Sequence, residues 1–224
     1  MFGGEENENM IVNFIYNEDK DVKCLITKGS GSNNSPRQKT KTYEALLAYT
    51  DEIKNTEKVR EFVRLYIREN NLNLEEVEVS LRRNWAMISS DFEKRAEKVF
   101  GLSIADNITA YLTITGRFPY SIEKKYFYVS AKKSNANATA MHELWHFYTY
   151  HKFENTIDQI GLNKFNNIKE ALTVLLNIEC SDLLNGEIDK GYSQHQELRK
   201  TISDTWSKTK DISEVWKITQ DSLS

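Results

Sequence analysis

The apolar residues of this chain change their period at Gly101, and that change limits the fold more than any other feature. Before it, Leu74, Val77, Leu81, Trp85, Ile88, Phe92, Ala96 and Val99 recur every three or four residues, the spacing of a helix with one buried stripe. Gly101 itself stands where a helix C-terminal glycine belongs. After it, Ile108, Ala110, Leu112 and Ile114 alternate with Thr109, Tyr111, Thr113 and Thr115, which describes a strand buried on one side. A second β-prone run, YFYVS at 126–130, follows the turn-forming GRFPYS. Helical patterns also occupy 42–71, with a break at Asn55-Thr56 where Thr56 is the candidate cap, the stretch ATAMHELWHFYTYHKF, and a C-terminal block over 170–184, 194–206 and 211–218. The expected class is α+β, a small sheet among amphipathic helices.

The first 40 residues read as a peripheral segment. IVNFIY (11–16) and VKCLIT (22–27) are β-prone runs on either side of the polar NEDKD, a candidate hairpin, and GSGSNNSP at 29–36 has linker composition. Residues 41–224 then read as a single domain, long enough to bury a sizeable core. With 30 basic against 33 acidic residues and a net charge of -3, the chain offers no electrostatic footprint for nucleic acid or an anionic membrane, and Arg82-Arg83 reads as part of a solvated face. No run approaches the roughly 20 apolar residues needed to span a bilayer. The acidic start MFGGEENENM is unlike a signal peptide, and Cys24 and Cys180 are too few for a disulfide framework, so a cytoplasmic protein is expected.

Of the 4 histidines, His142, His146 and His151 are clustered, and His142-Glu143-Leu144-Trp145-His146 is an HExxH sequence. On a helix, residues four apart differ by about 40° around the axis, so both imidazoles project from one face and can bind a single ion. Glu143 is displaced by about 100°, near enough to reach a water on that ion without being a ligand. The flanking Ala140, Met141, Leu144, Trp145, Phe147 and Tyr148 are uncharged, as a buried helix requires. A zinc site of this kind needs a third protein ligand and keeps its fourth position for water. His151 is poorly placed, about 180° round the same helix from His142. Glu170, heading the otherwise apolar KEALTVLLN, is the better candidate, because an inward carboxylate on so hydrophobic a helix needs a compensating cation. Glu154, Asp158, Glu179 and Asp182 remain substitutes.

HELWH followed at this distance by EALT resembles the thermolysin-like gluzincin group of zinc metallopeptidases, over residues 126–180. The resemblance implies a zincin-like core, with the HExxH helix beneath a small sheet and a C-terminal helical part. It further implies Zn2+ held by His142, His146 and Glu170, Glu143 as general base, Thr173 in a small hydroxyl position, and a strand pairing with extended peptide or protein substrate. Such enzymes also place a Tyr or His near the oxyanion, and GYSQHQELR offers Tyr192 and His195. Val174 departs from the pattern: the family has there an aspartate that orients a ligand histidine, so another residue must do this, with Asn177 on the Glu170 stripe as the candidate. The implied function is zinc-dependent peptide-bond hydrolysis. Two alternatives stand beside it. One is a regulatory metalloprotease of the repressor-cleaving type, against which the chain has no DNA-binding motif. The other is a non-catalytic zinc-stabilised binding module, which would have no use for Glu143.

Overall fold

The run 11–16 forms a strand, Ile11–Tyr16 (β1), that pairs in parallel with Asn107–Thr113 (β2), far along the chain, and not with its sequence neighbour. The computed structural model describes residues 10–26 and 40–223, mixed α+β, which fall into two compact units. One of them comprises Met10–Ala86 and Asp106–Ala136 and holds the sheet. The linker-like 29–36, which bounds the expected peripheral segment, lies outside the described residues.

In the sheet unit, Glu18–Ile26 (α1) is a helix, which corrects the hairpin reading. NEDKD is an acidic first helical turn, with Glu18, Asp19 and Asp21 favourably placed against the helix dipole. Val22, Cys24 and Leu25 pack inward from it. Lys41–Tyr49 (α2) and Thr56–Glu69 (α3) follow, and the cap between them is Asn55, not Thr56: its side-chain oxygen accepts from the N–H groups of Glu57 and Lys58. Two residues separate Leu74–Ala86 (α4) from the next helix, so the periodic run 74–99 is interrupted. The spacing from Trp85 through Ile88 to Phe92 carries across that break, which is why periodicity alone does not reveal it.

Tyr120–Ser121 (β3) and Tyr126–Ser130 (β4) complete a four-stranded sheet of order β1-β2-β4-β3, with β3 alone antiparallel. Ile108, Ala110 and Leu112 of β2 are fully buried, the face expected from their alternation. The outer edge of β1 is closed by α4: Arg82 donates to the Phe14 carbonyl at 2.8 and 3.1 Å, and the Glu78 carboxylate accepts from the Tyr16 N–H at 2.6 Å. Asp21 of α1 is fully buried at the end of β2, accepting from the Thr113 hydroxyl at 2.6 Å and the Ile114 N–H at 3.2 Å.

The second unit comprises, among described residues, 87–105 and 137–223 and is helical: Ser89–Phe100 (α5), Asn137–Phe153 (α6), Ile157–Ile160 (α7), Leu162–Leu172 (α8), Leu176–Glu179 (α9), Gln196–Thr209 (α10) and Ile212–Ser222 (α11). Gly101 ends α5 in the left-handed conformation at φ 66°. The helix α6 carries the HELWH sequence without a glycine, proline or acidic first turn, and it is buried on nearly every side. Its Trp145 and Tyr148 pack against Phe92 and Phe100 of α5, with ring centroids 5.0 to 6.3 Å apart, and its Phe153 stacks on Trp216 of α11 at 4.1 Å.

Among described residues, no helix is long and apolar enough to cross a membrane.

Candidate metal centre

Two helices of the helical unit supply three convergent donors. His142 and His146, one turn apart on α6, have ring centroids 4.6 Å apart. Glu170 lies in the last turn of α8, a helix that starts earlier than the expected 170, and its carboxylate reaches both rings: Oε1 is 3.4 Å from His146 Nε2 and Oε2 is 3.9 Å from His142 Nε2. One donor atom from each residue lies within 4.8 Å of the others. The tryptophan inside the HELWH sequence fixes the two helices to each other, since the Trp145 indole N–H donates to the Leu172 carbonyl at 3.1 Å.

His142 is oriented from behind by Asp189, a residue the sequence did not single out. The Asp189 carboxylate takes His142 Nδ1 at 2.6 Å, which leaves Nε2 and its lone pair facing Glu170. Asp189 is in turn fixed at every polar atom. Its other oxygen accepts from Thr173 Oγ1 at 2.8 Å and Arg199 Nη2 at 2.9 Å, its carbonyl accepts from Asn177 and Arg199, and its N–H donates to the Asn177 amide oxygen at 2.9 Å. The role expected of Asn177 is thus corrected: the orienting group is the Asp189 carboxylate, and Asn177 holds the backbone that carries it. Thr173 links the same cluster by accepting from Arg199 Nη1 at 2.8 Å. Gly191, at φ 59°, lets the chain pass this guanidinium, because a Cβ there would meet Arg199 Nη1 at 2.6 Å. The pair of positive-φ glycines bracketing Asp189, Gly186 and Gly191, is the one sequence signal that marks the segment as a shaped loop.

The other candidates divide clearly. Glu179 pairs with Lys210 and the Trp206 indole, and Asp182 with Arg95, away from the cluster. Glu154, Asp158 and His151 are exposed. His195 is buried at 6 % exposure, its Nε2 3.2 Å from the Asn167 amide oxygen, and Tyr192 stands edge-on to it at 5.8 Å with 53 % of its surface exposed. Lys169, adjacent to Glu170 and only 2 % exposed, places its ammonium 2.7 Å from Glu170 Oε1. Periodicity reads such a lysine as part of a solvated face and misses it.

Burial and charge set the protonation of these groups. Burial, aided by Lys169, pushes His146 down to about 3, so its imidazole is neutral and can act as a ligand. Burial works against ionised Glu170, yet His146 and Lys169 hold its carboxyl well below the usual range. Burial likewise lowers His142, but the Asp189 hydrogen bond together with the negative charges of Glu143, Asp189 and Glu170 outweighs it and raises the imidazole. Glu143 is pushed up to about 7, chiefly by burial, and its Oε2 has no hydrogen-bond partner among the described residues. Burial holds His195 below the ordinary imidazole range, and its Nδ1 is without a hydrogen-bond partner among the described residues.

These donors fit a zinc ion. Two imidazole nitrogens and a carboxylate oxygen are the donor set of a catalytic zinc site, and one donor atom of each residue lies within 4.8 Å of the others. The partnerless Glu143 oxygen is the kind of buried atom that such a site leaves for a reacting water. Searched against protein-family models, curated proteins and solved structures, the chain matches none.

Proposed function

We propose that the chain is a zinc-dependent metallopeptidase of the gluzincin type, which hydrolyses peptide bonds in a peptide or protein substrate. The observation that carries this reading is the convergence of His142, His146 and Glu170, with a buried Glu143 oxygen next along the same helix that has no hydrogen-bond partner among the described residues. A bound zinc ion would supply Lewis acidity toward a water and toward the scissile carbonyl.

The remaining work falls to the chain. Asp189 holds His142 in the tautomer that keeps Nε2 for the ion, and Arg199, Thr173 and Asn177 keep Asp189 from turning away. Glu143, balanced near neutrality by its burial, takes a proton from the attacking water and passes it to the leaving amine. His195 donates through Nε2 to the Asn167 amide oxygen, so its Nδ1 addresses a developing oxyanion only as the imidazolium, and the exposed Tyr192 is the alternative donor. Glu143 also favours an enzyme over a zinc-stabilised binding module, since a closed structural site has no use for a buried base.

Elemental analysis and zinc titration of the purified chain test the metal, with one ion per chain expected and lost in His142→Ala and His146→Ala. A wild-type protein that takes up no zinc overturns the reading.

A further inference from the structure

Within the proposed metal centre, one of the protein's own cations touches the Glu170 carboxylate directly. Lys169 is almost completely buried, and its ammonium lies 2.7 Å from Glu170 Oε1, the same oxygen that stands 3.4 Å from His146 Nε2. A buried ammonium stays charged only when paired, so this contact is where the lysine's charge is satisfied on the Glu170 side. Neighbouring helical residues point about 100° apart, so the flexible lysine stem must curl back along the helix to bring Nζ to that oxygen. The other oxygen, Oε2, is turned toward His142 Nε2 at 3.9 Å.

We propose that Lys169 is a built-in competitor for Glu170: by holding Oε1 it leaves the carboxylate one oxygen for a divalent cation and keeps the affinity of the centre below what its three donors alone would give. This rests on the metallopeptidase reading and concerns the tuning of the same site. In the metal-free chain the ammonium neutralises the ligand carboxylate and holds it in position. In the loaded chain it is a like charge beside the ion, in surroundings too dry to screen it. The two states pull in opposite directions, and this separates the proposal from a purely structural role. If Lys169 only positions Glu170, removing it loosens the ligand and weakens the metal. If it competes, removing it strengthens the metal.

Zinc dissociation constants of the full chain, measured by competition with a chromogenic chelator at fixed pH, decide between these. Lys169→Met should bind zinc at least tenfold more tightly than wild type, while Lys169→Arg, which keeps the charge, should stay within a few-fold of wild type. Equal or weaker binding by Lys169→Met, with wild type loading normally, overturns this inference and leaves the metal site standing. Zinc uptake by neither protein overturns both. Should Lys169→Met fail to fold without metal, recovery of its folded circular-dichroism spectrum on adding zinc supports the proposal, because the ion then replaces the missing cation. Failure to fold with zinc present as well overturns it.

Discussion

Asp21 in the sheet unit and Asp189 in the helical unit are both largely buried aspartates, yet their surroundings move the two carboxyls in opposite directions. Asp21 is met by a hydroxyl and a backbone N–H, and burial pushes it up to about 6. Asp189 is met by His142, Thr173 and the Arg199 guanidinium, which together outweigh burial and hold it below the usual range. Neutral donors suffice to tie a helix to a strand end, where nothing depends on the carboxylate being ionised. The carboxylate that fixes the His142 imidazole is given a cation and a rigid backbone.

Substitutions in the two units should therefore be felt in different measurements. The largest effect is expected from Glu143→Gln, which should retain zinc and lose peptide hydrolysis by roughly 10²–10⁴-fold, the range for a general base. Wild-type turnover in that variant, measured on a peptide library, would remove Glu143 from the chemistry and weaken the contrast.

Asp21→Asn acts on stability alone. The folded carboxyl titrates near 6 against 3.8 when unfolded, so the native state binds the proton more tightly; the stability this confers is complete below about pH 4 and lost as pH rises through 6. The asparagine has no such loss. Urea unfolding at pH 4 and pH 7 should show wild type giving up as much as about 3 kcal/mol that the variant keeps, with zinc content unchanged. Parallel pH profiles for the two proteins would contradict this.

Asp189→Asn should leave the fold intact and weaken zinc roughly 10–100-fold, the usual cost of losing a carboxylate behind a ligand histidine. A chelator titration giving the wild-type constant would mean that His142 needs no support. The smallest effect belongs to the sheet unit again: Asn55→Ala removes the cap of α3 and should cost about 1 kcal/mol in thermal or urea unfolding, with zinc uptake untouched.

How far the sequence foretold these two units depends on what each feature leaves in the residue pattern. The burial of Ile108, Ala110 and Leu112 is legible because a one-sided strand must alternate, and the meeting of His142, His146 and Glu170 because helical spacing and an isolated carboxylate on an apolar helix are local signals. Asp189 is illegible for the opposite reason. It sits in a loop with no period, and its importance comes from partners at 142, 173, 177 and 199 that only the folded chain assembles. The hairpin reading of 11–27 fails because Val22, Cys24 and Leu25 suit a short strand as well as a helix, and the acidic NEDKD suits a turn as well as a helix start. The distant partner of β1 decides between them, and no window of that length contains it.

Gly191 gives the site a member that has no side chain. The guanidinium it would strike is 4 % exposed and held by Thr173 and Asp189, so it cannot swing aside as a surface arginine would. Even alanine at 191 would press on Arg199, and through Arg199 and Asp189 the pressure would reach the ring of His142. In a saturation library selected for function, position 191 should tolerate almost nothing, and its pattern of permitted residues should follow that of the ligands more closely than that of the loop around it. A residue that binds nothing and reacts with nothing would then be inherited as strictly as one that does, because what is selected there is empty space.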